Sequence, residues 1–382
     1  MRPLLPLFSS LMILAFVSLK FKADAINTNF PKQSANFLLT IKPDPGFKHA
    51  QVRPFKIETS LPPGYVRDAS IDYTVYIQEA INTHDNIIFP SFPLLINDGG
   101  IAVGSNKVIT FSSGSKLILK PTSESHYSIL RITDSENIVL INPVIEGDRL
   151  NHLGNAGEYG MGIGIYGSTN VTIAGAVISE CWGDGIYLGR SKNNIVNRNI
   201  SIRNTSVKRS NRNGLSVISV DSLKVENCYF GLCNLTGLDI EGNYGDEELK
   251  NISLFNITTE ANNYNGLTIA LSRTFDYRDK TIGIININNH HDIGSKNYCF
   301  KITIKSPLPG LGTIGGTVNV LNSIWESPGT GRPCFYSVSQ PNFITIIKKP
   351  KVKNLSGKWL TLLETEKLLK QNIKKGKVTL IF

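Results

Sequence analysis

One short segment recurs along the middle of the chain at near-regular intervals. Gly162-Ile-Gly-Ile165, Gly185-Ile-Tyr-Leu188, Gly214-Leu-Ser-Val217, Gly237-Leu-Asp-Ile240 and Gly266-Leu-Thr-Ile269 align on their first glycine. After that glycine the first and third residues are always aliphatic, and the residue between them never is. Period-two alternation puts the aliphatic residues on one face of a strand and the others on the opposite face. The aligned glycines are 23, 29, 23 and 29 residues apart. A strand repeated at that period, each copy stacking on the last, predicts a solenoid.

A second strand accompanies the first. Asn170-Val-Thr-Ile173, Asn199-Ile-Ser-Ile202, Ser222-Leu-Lys-Val225 and Asn251-Ile-Ser-Leu254 share one alternating pattern. Two residues beyond the last aliphatic position stand Asn204, Asn227 and Asn256, with Gly175 in the first copy. Extending the register outward adds Asn142, Asn286 and Asn322. Asparagine tolerates tight turns and carries both a donor and an acceptor, so this column predicts an inward amide ladder.

Earlier rungs are expected between residues 86 and 147, and later ones through Phe343-Ile-Thr-Ile-Ile347. Ile71 to Asn82 has helical spacing, with Ile71, Val75 and the Ile77/Ala80/Ile81 group as its apolar face and Ser70 or Asp72 placed to cap it. Trp359 to Asn372 has helical spacing too, through Leu360, Leu363, Leu368 and Leu369, ahead of a last strand Val378 to Phe382. Both helices suit the ends of a solenoid, where core would otherwise be exposed. The fold class is therefore all-β: a single-stranded parallel β-helix with an N-terminal capping helix and a C-terminal helical cap. No linker divides residues 68–382, which read as one domain including its caps.

Residues 1–25 read as a secretory signal: Arg2, an apolar run from Leu4 to Leu19, and Ala23-Asp-Ala25 as a cleavage site. The run is short for a membrane span, and no other stretch is apolar enough for one. Residues 26–67 form a Pro-interrupted leader, with Phe37 to Ile41 as a candidate strand. The net charge of +10 suits an acidic polymer or an anionic surface. No nucleic-acid motif accompanies that charge. Cys181 and Cys233 share a register position but have Ser210 between them. Two rungs place their backbones roughly 9–10 Å apart, beyond disulfide reach. The five cysteines are thus expected to be buried thiols, and no Cys/His metal spacing is present.

The face opposite the aliphatic residues carries the chemistry. If the glycine marks a bend, the residue before it also faces outward, and Asp184, Tyr187, Ser216, Asp239 and Glu241 share one patch. Arg212 borders the patch and Glu158 enters from a Gly-rich insertion, Gly147 to Glu158. Insertions at Arg190 to Arg198 and Tyr244 to Lys250 create the longer repeats. Asp239 and Glu241 are the expected acid/base pair, since repulsion between neighbouring carboxylates raises one pKa and leaves the other group ionised. Asp184 is the third candidate, although its Gly-Asp-Gly setting is equally well explained as turn chemistry. Arg212, Asn213, Tyr187, Glu158 and Trp182 are the candidate substrate-binding residues. Trp182 and Tyr187 offer a stacking surface for a sugar ring, and Trp182 serves core packing equally well. The same acids could instead hold Ca²⁺.

Over Asp68 to Val352 the chain resembles the pectin-lyase-like family of right-handed parallel β-helices. The resemblance is most specific at Gly157-Glu-Tyr-Gly-Met-Gly-Ile163, Cys181-Trp-Gly-Asp-Gly-Ile186, Arg212-Asn-Gly-Leu215 and Gly237-Leu-Asp-Ile-Glu241. It implies an exported protein that cleaves or binds a polysaccharide, often an acidic one, in a groove along one face. Asp184 matches the Asp-Gly of polygalacturonase-type hydrolases, but Asn213 stands where those enzymes place a second Asp, and Thr236 where they place His. Glycoside hydrolysis is the favoured expectation. A lyase or epimerase using Arg212 and a carboxylate-bound Ca²⁺ is the enzymatic alternative, and a glycan-binding surface rod the non-catalytic one.

Overall fold

Each aligned segment forms a strand whose aliphatic side chains vanish from solvent. Ile163, Ile165, Ile186, Leu188, Leu215, Val217, Leu238, Ile240, Leu267 and Ile269 all have 0% exposure. Burying one such side chain contributes about 1.5–3 kcal/mol, so the repeat itself is the main source of cohesion. The computed structural model describes residues 53–155, 157–306, 308–326 and 333–382. These fall in one compact unit, Phe47–Phe382. The expected signal at residues 1–25, and the candidate strand Phe37 to Ile41, lie outside the described residues.

The strands are joined in parallel. Among the described residues one sheet of ten strands runs from Ile101–Ala102 to Ile373–Lys375, and its centre is built by the five aligned repeats. A second sheet contains nineteen strands among the described residues. It comprises two columns, one through Thr169–Ala174 and Asn197–Arg203, the other through Val177–Ser179 and Ser206–Lys208. Three long strands, Val220–Gly231, Leu249–Glu260 and Lys280–Ile293, pass through both columns and fuse them. The core lies between the faces, filled by ranks of Ile, Leu and Val, with Phe300, Trp325 and Phe335 near the C-terminal end.

The repeated glycine marks the place where no side chain fits. A Cβ at Gly185 would stand 2.1 Å from Val207 Cγ1 and 2.9 Å from Gly214 O. The residue before it is not on the open face, contrary to expectation. Met161, Asp184, Asn213, Thr236 and Asn265 are all buried. At Asp184 and Asn213 a side-chain oxygen joins the rungs instead, accepting the backbone N–H of the next one.

The asparagine column is a ladder, but an outward one. Asn256 Nδ2 donates to Asn227 Oδ1 at 3.0 Å, and Asn289 Nδ2 donates to Asn256 Oδ1 at 2.8 Å, both at exposed positions. These residues sit in the left-handed region, with φ of 54°, 52° and 57°. Asn289, not Asn286, takes the turn in its rung, while Asn286 lies within a strand opposite Asn319. The physical reason is the corner: aliphatic side chains fill the interior, and only outside do amides find both the next amide and water. A second outer ladder joins Asn106, Asn137, Asn170 and Asn199.

The end caps differ in detail from expectation. The first helix is Thr74–Thr83, with Ile77, Ala80 and Ile81 buried. Ile71 precedes it and Val75 points away from the buried stripe, at 51% and 72% exposure. Asp72 accepts the Thr74 N–H at 2.9 Å and so satisfies one free donor of the first turn. The leader joins the core earlier than expected: Phe55–Lys56 pairs with Asn86–Phe89, and Ile57 is fully buried. The C-terminal helix is Leu362–Gln371, opened by a Thr361/Glu364 capping box. Leu369 reaches the core while Leu363 stays exposed. Lys377–Ile381 closes the second sheet against Phe343–Lys348. All five cysteines are buried free thiols, as expected.

Candidate functional site

The ten-stranded sheet sets its non-aliphatic residues in columns. Gly164, Tyr187, Ser216, Asp239, Thr268 and Lys301 occupy one column on six consecutive strands. Glu241 stands two residues beyond Asp239 and opposite Ala270. Asp239 and Glu241 therefore share the face, as the alternation predicted. Asp184 approaches them from the buried edge column.

Asp184 has 0% exposure, and its Oδ1 accepts the N–H of Asn213 at 2.8 Å. Its second oxygen is enclosed without a hydrogen-bond partner in the structure. Burial raises its pKa to about 6, against the pull of Arg212 and the Asn213 N–H. Asp239 is held further from its ordinary state. Burial, then the charge of Glu241, then that of Asp184 push its pKa well above the usual carboxylate range. Its Oδ1 is enclosed and has no hydrogen-bond partner. An aspartic acid in this setting keeps its proton at pH values where an exposed one has lost it.

Arg212 is the counter-charge. Its Nη1 pairs with Glu158 Oε2 at 3.0 Å, its Nε lies 3.6 Å from Asp184 Oδ1, and its guanidinium sits over the Tyr159 ring at 5.4 Å. The pair is asymmetric: the Arg212 side chain is 17% exposed and that of Glu158 60%.

A cleft of about 600 Å³ opens beside these residues. Its floor carries Tyr159, Tyr166, Tyr187, Arg212 and Glu241, and its walls come from the insertions that lengthen every second repeat. The first insertion supplies Arg190, Ser191, Lys192 and Asn194, and the second Tyr244 and Glu247. Arg190 ties the two walls together, with Nη1 2.5 Å from Asp246 Oδ2 and its guanidinium 4.7 Å above the Tyr244 ring. Four cations (Arg190, Lys192, Arg212 and Arg273) line the cleft against Glu241 and Glu247. Arg190 and Arg212 are paired with Asp246 and Glu158, so Lys192 and Arg273 are the lining cations without a carboxylate partner among the described residues, and they favour an anionic ligand.

Two sequence candidates are structural members instead. Asn213 has 2% exposure, donates to Ser216 Oγ at 3.0 Å and accepts the Thr236 N–H at 2.9 Å. It has no surface left for a substrate. Trp182 is half-buried, donates to Gly157 O at 2.9 Å and has one ring face covered by His152 at 4.0 Å. His152 is in turn held by Asp148 at 2.8 Å, so the group anchors the Gly147 to Glu158 insertion. Tyr187 does line the cleft, tilted against Tyr166 with ring centres 5.7 Å apart. Glu158, Asp184 and Asp239 are not among the lining residues: Glu158 and Asp184 reach the site through Arg212, and Asp239 lies two residues from the lining Glu241. Sequence reasoning missed Tyr166, Arg190, Tyr244, Glu247 and Arg273. The alternation of 23 and 29 residues was the available signal, because extra residues on a fixed rung must leave the sheet. Among the described residues no three His, Cys, Asp or Glu side chains converge as a metal site.

A sequence-family model described as a right-handed β-helix region matches residues 84–282, just over half of the chain. The uncharacterised protein YclG of Bacillus subtilis is 29% identical over 57% of this chain, which spans 45% of that relative's length. Solved structures share the fold at low identity. The A-module of the mannuronan C-5 epimerase AlgE6 of Azotobacter vinelandii superposes with a TM-score of 0.57 at 14% identity, over 78% of this chain and 87% of that one. The polygalacturonase of Erwinia carotovora gives 0.56 at 12% identity, over 81% and 95%. The surface adhesin PfbA of Streptococcus pneumoniae gives 0.54 at 12% identity, over 79% and 88%. Enzymes acting on polysaccharides and an adhesin thus share this architecture, and a fold alone does not assign a function.

Proposed function

The chain belongs to the right-handed β-helix family, and on that premise we propose that it is an exported enzyme that hydrolyses an acidic polysaccharide. The observation that carries this reading is geometric: Asp239 and Glu241 stand two residues apart on one face of one strand, Glu241 lines the cleft, and burial, Glu241 and Asp184 together raise the Asp239 pKa. A carboxyl group with a raised pKa, next to a second carboxylate, is the pairing glycosidic-bond cleavage requires. Asp239 is the proton donor. It protonates the glycosidic oxygen as the bond from that oxygen to the anomeric carbon breaks. Glu241 is the base: it takes a proton from a water whose oxygen bonds to the anomeric carbon. The net change is addition of one water, and both carboxyls recover their protonation states through solvent. Residues i and i+2 on a strand are about 7 Å apart at the backbone, which is compatible with the wider carboxyl spacing of inverting enzymes, where a water fits between acid and base. Asp184 keeps negative charge close to Asp239 and Arg212 in place. Arg212, with Arg190 and Arg273, receives the sugar carboxylates, while Tyr187 and Tyr166 offer ring faces to the sugar.

The test is a panel of uronic-acid and neutral glycans. New reducing ends without ultraviolet-absorbing unsaturated ends are expected from the acidic members. Unsaturated ends would replace hydrolysis by elimination, and binding without any product would overturn the enzymatic reading in favour of a glycan-binding rod.

A further inference from the structure

The glycine column does not end in glycine. The register that pairs Asn265 with Tyr298 and Phe300 with Phe335 sets Gly266, Cys299 and Cys334 at one place on three consecutive strands. At Gly266 a Cβ would lie 2.0 Å from Asp292 Oδ2, so the Asp292 carboxylate fills the space a side chain would need. On the next two rungs the column carries thiols, with exposures of 0% for Cys299 and 1% for Cys334. Phe300 N donates to Cys334 O at 2.9 Å, which puts the two backbones in direct ladder contact at this point. Neighbouring strands are about 4.8 Å apart, inside the window of about 4.4–6.8 Å between Cα atoms that a disulfide spans. Cys181 and Cys233, by contrast, are separated by the rung of Ser210.

The surroundings supply a proton acceptor. Asp292 is fully buried, and its Oδ2 accepts from Thr259 Oγ1 at 2.7 Å and Ser295 Oγ at 2.6 Å. Burial raises its pKa to about 7, so it can take up and return a proton near neutral pH. The Cys299 thiol donates to Glu326 O at 3.4 Å, and burial, then Cys334 and Asp292 beside it, push its pKa well above the ordinary thiol range, so its thiolate forms only as an acceptor takes the proton. His290 completes the cluster through Thr259 at 2.9 Å, and burial lowers its pKa to about 3, so it adds no charge. Access comes from the other side. Cys334 lines a cavity of about 710 Å³ between the helix Leu362–Gln371 and the last rungs, together with Val352, Leu360 and Leu368.

We propose that Cys299 and Cys334 are an oxidisable dithiol that closes into a disulfide across two rungs, with Asp292 as proton acceptor for Cys299. The oxidant is a small disulfide. The Cys334 thiolate, formed by loss of its proton to solvent, attacks one sulfur of that disulfide and releases the first small thiolate. Cys299 then gives its proton to Asp292 and attacks Cys334 Sγ, forming the protein disulfide and releasing the second. Two protein thiols are oxidised and the small disulfide is reduced to two thiols. Asp292 returns its proton to solvent, so that each released thiolate is protonated. The thiolate is the attacking species at each step, which is why a buried proton acceptor matters.

The full chain is incubated with hydroxyethyl disulfide, quenched with acid, denatured and titrated for free thiols, with peptide mapping in parallel. Titratable thiols are expected to fall from five to three, with Cys299 and Cys334 in one crosslinked peptide pair and a higher unfolding midpoint for the oxidised protein. The triple variant Cys181→Ser, Cys228→Ser, Cys233→Ser is expected to lose both of its remaining thiols. Asp292→Asn is expected to close the bridge at least tenfold more slowly at pH near 7.5 while forming the same product. Five thiols retained after oxidation, or a bridge mapped to another pair, would overturn the dithiol. An unchanged closure rate in Asp292→Asn would remove Asp292 from it.

Discussion

Asp184 and Asn213 hold the same place on consecutive rungs and make the same bond. Asp184 Oδ1 accepts the Asn213 N–H at 2.8 Å, and Asn213 Oδ1 accepts the Thr236 N–H at 2.9 Å. The acid in this column thus does a structural task that the next rung gives to an amide. What the amide lacks is the charge, and that charge is the link between the scaffold and the site.

Replacing Asp184 by Asn is therefore expected to keep the fold and to change its pH dependence. A buried acid whose pKa rises from 3.8 to about 6 favours the folded state fully below about pH 4. That contribution is lost as pH rises toward about 6 and stays lost above it. The variant should gain up to about 3 kcal/mol over the parent at pH near 7.5 and almost nothing near pH 4. Urea midpoints at the two pH values measure this, and an equal gain at both would contradict it.

Asp239→Asn and Glu241→Gln should each lower hydrolysis by roughly 10²–10⁴-fold with circular dichroism unchanged, and Asp239→Asn should melt no lower than the parent at neutral pH, since the raised pKa of the acid costs folded stability there. An amide can neither donate the required proton nor accept one from water. Initial rates of reducing-end formation are the measurement, and a variant retaining parental rates would leave the mechanism without that residue.

The charge of Glu241 is one cause of the elevated Asp239 pKa, after burial. Carboxyl-carbon NMR of Asp239 should report a titration above the ordinary range in the parent. In Glu241→Gln the titration should move down, because the ionised form then meets less repulsion. Activity in the parent should fall as pH rises through that titration, since only the protonated form donates. A profile that instead climbs over the same interval would reverse the assignment of acid and base.

Arg212→Ala should raise KM for acidic oligosaccharides by about 10–100-fold, the loss of one or two hydrogen bonds to a charged group, and alter neutral ones far less. Glu158→Ala should act the other way. Glu158 occupies Arg212 Nη1 at 3.0 Å, and its removal frees that donor for a sugar carboxylate. Steady-state kinetics with matched acidic and neutral substrates distinguish the two, and equal shifts on both substrate classes would show that Arg212 does not read charge.

At the outer corner, Asn227→Ala should cost more than Asn227→Gly. Both lose the amide contact from Asn256, but alanine must also adopt φ near 54°, a strain of about 1–2 kcal/mol that glycine avoids. Gly175 already holds the equivalent turn at φ 72°. Thermal melts of the two variants provide the comparison.

What the sequence by itself determined was the coil. Period-two alternation after Gly162, Gly185, Gly214, Gly237 and Gly266 requires each rung to bury one face, and a constant rung requires the next to lie on it. Placing Asp239 and Glu241 on one face followed from that alone. The tertiary structure decided everything that depends on how tightly neighbouring rungs meet. Whether the residue before each glycine points to solvent is set by close contacts such as Val207 against Gly185, which join residues 22 positions apart and leave no local pattern. The same packing buried Asn213, turned the asparagine column outward and used Trp182 as an anchor. It also folded two insertions, joined through Arg190 and Asp246, into one wall of mixed charge that carries Arg190, Lys192 and Glu247 to the cleft. Alternation fixes which face a side chain takes; only the assembled coil fixes whether that side chain has solvent, a partner or another rung in front of it.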